Sequence, residues 1–85
     1  MVISGWVVTL NEGVLGDQAE AQLRQRPGLD IGVRQGFCLP VVAETPGLED
    51  GERLAKEVEQ VDGVTLVDVL SIDFSDGYLE QEVRS

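Results

Sequence analysis

The chain contains no histidine. That absence removes the commonest general base, the usual partner of a nucleophilic serine or cysteine, and the usual transition-metal ligand. Enzymatic activity is therefore not expected. Cysteine is almost as scarce. Cys38 is alone, so no intramolecular disulfide can form, and a reducing, cytoplasmic setting is expected rather than a stapled secreted scaffold. Nothing near Cys38 in the sequence would lower its pKa, and the thiol is expected to be structural and buried. Basic residues are few, six Lys and Arg against sixteen Asp and Glu, for a formal net charge of −10. Nucleic acid is a poor partner for such a chain, because phosphate binding needs cations to displace counterions, and anionic membrane surfaces are disfavoured for the same reason. The balance suits a basic partner, or serves solubility alone.

Other signals are missing too. Met1 to Leu10 has no basic leader and is interrupted by Ser4, Gly5 and Thr9, so neither a signal peptide nor a membrane span of about 20 apolar residues is expected. None of the ten glycines belongs to a GxGxxG or GxxxxGK loop of the kind that cradles phosphate. The acidic residues do not follow the spacing of a calcium-binding EF-hand loop. No cofactor and no metal are expected. What is present is ordinary globular composition, 42% hydrophobic and 26% charged, in 85 residues. That is room for a single hydrophobic core.

Patterning divides the chain into six elements. Val2 to Leu10 (VISGWVVTL) is β-branched and aromatic and ends in the turn formers Asn11, Glu12 and Gly13. Leu15, Ala19 and Leu23 then make one helical stripe, with Asp17 and Glu20 early, Arg24 and Arg26 late, and Pro27-Gly28 as the stop. Leu29 to Arg34 alternates, with Ile31 and Val33 on one face, and a short connection leads to Cys38 to Thr45 (CLPVVAET), so the pair reads as a hairpin. Pro46-Gly47 precedes a second helix with Leu54, Ala55, Val58 and Val61 inward, closed by Asp62-Gly63. Val64 to Phe74 (VTLVDVLSIDF) is the longest strand, and residues 75–85 form a polar tail that is expected to be flexible. The domain is thus expected to span 1–74.

The order β-α-β-β-α-β implies an α+β, ferredoxin-like fold: a four-stranded antiparallel sheet with both helices on one face and the other face open. Pro40 would lie in an internal strand, where a proline removes a ladder hydrogen bond, so a bulge there, or a strand that starts after it, is expected. By side-chain volume Ser4, Trp6, Val8 and Leu10 face the core, with Trp6 as its anchor, as do Leu39, Val41 and Ala43. Asp68 is costly to bury, which places Leu66, Asp68, Leu70 and Ile72 on the open face. The open face should then carry Gly5, Val7, Thr9, Val42, Glu44, Leu66, Asp68 and Leu70. This is a mildly apolar groove with carboxylates, the kind of surface that receives a partner helix or a second copy of the chain.

The run Ile3-Ser4-Gly5-Trp6-Val7-Val8, the Pro27-Gly28 pair, the strand Leu39 to Glu44 and the Gly63-Val64 entry to the last strand resemble the NapD-type chaperones of periplasmic nitrate reductase assembly. The resemblance spans residues 3–72. It implies a cytoplasmic protein that binds the twin-arginine signal peptide of a molybdenum-dependent reductase, as a helix on the sheet, and delays export until the cofactor is inserted. Such a peptide joins two arginines to an apolar stretch, which Glu44 and Asp68 beside an aliphatic groove would complement. A shorter connection between the second and third strands, and Pro40, depart from that family. The same strand order also occurs in small-molecule-binding or dimerising regulatory domains of the ACT and Lrp type, and this is the alternative reading.

Overall fold

A computed structural model describes residues 1–74; the tail of residues 75–85 lies outside the described residues. The elements are β1 (Val2–Leu10), α1 (Val14–Arg24), β2 (Leu29–Ile31), β3 (Cys38–Thr45), α2 (Leu48–Glu59) and β4 (Val64–Phe74). The strands form one antiparallel sheet in the order β2-β3-β1-β4. This is the ferredoxin-like arrangement that the alternation of strand and helix patterns predicts.

The two central strands, β1 and β3, show strict period-two burial, because one face of the sheet is covered and the other is not. Val2, Ser4, Trp6, Val8 and Leu10 are buried in β1, and Leu39, Val41, Ala43 and Thr45 in β3, while the residues between them face the other way. Ala19 and Leu23 of α1 and Val58 of α2 join the same cluster, so both helices cover the same side. Trp6 is only 3% exposed. Each such large apolar side chain contributes about 2 kcal/mol of burial to a core of this size.

The stripe of α1 is displaced by one residue from the expected one. Ala19 and Leu23 are buried with Gly16, but Leu15 is 48% exposed. The cause is close packing: a Cβ on Gly16 would lie 1.9 Å from the Asn11 carbonyl oxygen. Gly16 takes the buried position of the first turn, against the turn that precedes the helix, and a step of about 100° around the axis turns Leu15 outward. In α2 the expected inward set is found, with Val58 buried and Leu54, Ala55 and, just beyond the helix, Val61 packed against the core.

Pro40 does not break the sheet. Val7 pairs with Pro40 in an unbroken β1–β3 register, so neither a bulge nor a late strand start is present. The imide nitrogen is turned toward the short outer strand. There the Gly32 N–H donates to the Pro40 carbonyl at 2.9 Å. The Gly32 carbonyl, which an ordinary residue 40 would satisfy, instead accepts from Arg24 Nη2 at 3.0 Å. Regular pairing in β2 ends at Ile31 rather than running to Arg34, and an isolated bridge between Gln35 and Cys38 closes the hairpin.

Arg34 ties this connection to α1. Its Nη1 donates to Asp17 Oδ1 at 2.8 Å and Glu20 Oε1 at 3.2 Å, and Arg24 Nη2 reaches Glu20 Oε2 at 2.8 Å. The hydrogen bond from Arg24, followed by that from Arg34, holds the Glu20 carboxyl below its ordinary pKa. A lowered folded-state pKa adds stability that is fully present above the unfolded value and is lost as pH falls through the folded one. In urea titrations, Glu20→Gln should therefore be less stable than the parent at pH 7. The difference should shrink as pH drops below the ordinary glutamate value of 4.5; a difference that stays constant down to the acid limit would contradict the assignment.

Candidate functional site

The uncovered face is built from the odd residues of β1 and their cross-strand neighbours. Gly5 lies between Val42 and Ser71, Val7 between Pro40 and Asp68, Thr9 between Cys38 and Leu66, and Ile3 between Glu44 and Asp73. Asp30 of β2 extends the Gly5 row beyond Val42. All eight residues expected on this face are there: Gly5, Val7 and Thr9 half-buried at its floor, and Val42, Glu44, Leu66, Asp68 and Leu70 exposed around them.

Two irregularities in β4 decide its shape. Ser71 pairs with Gly5 and Val69 with Trp6, so Leu70 is an extra residue between them; a second shift leaves Thr65 extra between Thr9 and Leu10. A bulge puts two residues opposite one and resets the alternation beyond it. Leu70, 69% exposed, joins Gly5, Val7 and Val42 around a shallow groove. Ile72 is carried to the opposite side, where it pairs with the core residue Ser4 and lines a cleft against α2. Its expected place on the open face is therefore corrected, because uniform period-two counting fails across a bulge.

The groove floor is bare backbone at its centre. A Cβ on Gly5 would come within 2.8 Å of Ser71 Oγ. Val7, Pro40, Val42 and Leu70 supply the apolar surroundings, with Asp30 and Gly32 at the β2 side. Four carboxylates border this apolar centre: Asp30, Glu44, Asp68 and Asp73. Two of them, Asp30 and Asp73, were not among the expected site residues. Asp30 was accessible to parity, since its neighbours Leu29 and Ile31 pack against the core. Asp73 was not, because it reaches the open face only through the bulge at Leu70.

No basic side chain offsets this charge among the described residues. Arg24, Arg26, Arg34 and Arg53 are each engaged by carboxylates of the helices, Glu20, Glu57, Asp17 and Asp50 among them. Lys56 projects from α2 on the other side of the sheet. The open-face carboxylates are also spread out, and among the described residues no three acidic or thiol groups converge in a way that could hold a metal ion. The arrangement is suited to attracting positive charge over an extended ligand.

Cys38 departs from expectation. It is exposed at the start of β3, across from Thr9, and is not a buried structural thiol. No described helix is long and apolar enough to cross a membrane. Comparison of the chain with protein-family models, with curated proteins and with solved structures finds no match.

Proposed function

We propose that this domain is an assembly chaperone whose open sheet face binds the twin-arginine signal peptide of a periplasmic nitrate reductase catalytic subunit and delays its export until the molybdenum cofactor is inserted. The observation that carries the reading is the pairing, on one surface, of an aliphatic groove with four carboxylates and, among the described residues, no basic side chain. A peptide that joins two guanidinium groups to an apolar segment complements both parts. Val7, Val42, Leu66 and Leu70 contact the apolar segment, while Glu44 and Asp68 attract the arginines. The family resemblance of residues 3–72 supports the same ligand, and the protein would act in the cytoplasm, before export and without catalysis.

Calorimetric titration of the protein with a synthetic twin-arginine signal peptide is the direct test. Saturable binding is expected, and it should weaken as salt screens the charges. Absence of binding at low ionic strength would overturn the proposal.

A further inference from the structure

The side of the sheet that carries the helices has a second apolar surface. α2 leaves the edge strand β4 partly uncovered, and between them runs a cleft with Ser4 and Trp6 in its floor, Ala55 on the helix and Val69 and Ile72 on the strand. Val69 is 47% and Ile72 44% exposed, although both point to the core side. Among the described residues β4 pairs only with β1, which leaves the outer backbone edge of its 11 residues without a strand partner there. The edge carries no proline or lysine, and the irregularities at Thr65 and Leu70 leave Leu66 to Val69 and Ser71 to Phe74 as the regular runs along which another strand can pair.

We propose that the free edge of β4 and the cleft beside it form a twofold contact between two copies of this chain, joining two sheets into one of eight strands. The charges at the cleft rim argue for a second copy rather than a foreign partner. Lys56, which makes no ion pair among the described residues, lies between Glu52 and Glu59 along the same wall. A rim with one cation flanked by carboxylates is self-complementary: a twofold axis sets the lysine of each copy against the glutamates of the other, as an isologous interface requires. The backbone edge is self-complementary as well, since a strand pairs antiparallel with itself across such an axis. The two carboxylates in this strand, Asp68 and Asp73, belong to the opposite face, so the cleft side of the seam is apolar. The open face stays free on both copies, and the contact is independent of any peptide bound there.

Sedimentation equilibrium on the full chain tests this. The expected result is a concentration-dependent rise from the 9.2 kDa of one chain to twice that mass. Because each copy carries a charge of −10, association should tighten severalfold between about 20 and about 300 mM NaCl as repulsion is screened. That is the reverse of the salt dependence expected for peptide binding. Ile72→Lys should leave a monomer at every concentration. Lys56→Glu, an exposed change that does not touch the core, should weaken the dimer about tenfold, and mixing it with a Glu52→Lys, Glu59→Lys copy should restore association. Val42→Lys on the open face should have no effect on mass. A 9.2 kDa species under all conditions, a dimer that survives Ile72→Lys, or one dissociated by Val42→Lys would each overturn the proposal.

Discussion

Replacing Gly63 by alanine should lower the stability of the domain by about 3 kcal/mol, a large fraction of what a chain of this size possesses. Gly63 has φ +100, a conformation that L side chains rarely adopt. A Cβ there would also lie 2.1 Å from the Leu15 carbonyl oxygen and 3.0 Å from the Ala19 Cβ. The first turn of α1 would have to move away. That would disturb the 2.7 Å hydrogen bond from the Asn11 N–H to the Gly63 carbonyl, which joins the β1–α1 and α2–β4 connections. Gly36 provides the control, because it has φ +62 but nothing within 4 Å of its missing Cβ. Gly36→Ala should cost only about 1 kcal/mol, the strain of the left-handed conformation without the collision. Denaturant midpoints measure both. Equal losses would mean that the approach of α1 to Gly63 contributes nothing.

The second large effect concerns ligand affinity. Reversing Glu44 and Asp68 together, to Lys, should weaken binding of the twin-arginine peptide about 100-fold at low salt, roughly tenfold for each charge. The two positions lie on different strands and in different rows of the sheet, so their effects should be close to additive. Both side chains are exposed, so thermal unfolding should change little. The deficit should shrink as ionic strength rises. Leu70→Asp should also weaken binding, but with a part of its loss that salt does not restore, because it removes apolar contact as well as adding charge. If the double reversal leaves the affinity unchanged while binding persists, the peptide does not sit on the open face.

The two proposed surfaces can be separated by these measurements. Peptide affinity should fall with salt and respond to Glu44, Asp68 and Leu70. Self-association should rise with salt and respond to Lys56 and Ile72. Both responses have one origin, since a chain with ten more acidic than basic groups attracts cations and repels copies of itself.

Much of the open face was legible from residue parity. The volume of Trp6, Val8 and Leu10 against Gly5, Val7 and Thr9 was enough to orient β1, and the same reasoning oriented Val41 against Val42 and Glu44. The cost of burying Asp68 oriented the first half of β4. Where spacing along the chain misleads, packing overrides it. Leu15 has the right spacing for the core, yet the first turn of α1 buries Gly16 instead, close to the Asn11 carbonyl that follows β1. Pro40 has the wrong chemistry for an internal strand, yet its missing N–H faces a place where Arg24 satisfies the orphaned carbonyl of Gly32.

Hydrophobic periodicity and turn residues determined the element order, the fold and the side of the sheet on which most residues fall, because those properties depend on spacing along the chain. The composition likewise settled the excess of negative charge. Only the packed structure decided where β4 bulges, and with that the exchange of Ile72 for Asp73 on the open face and the opening of a cleft beside α2. A bulge is set by how one strand fits its neighbour and the helix above it, and Leu70 carries no local mark of being the extra residue.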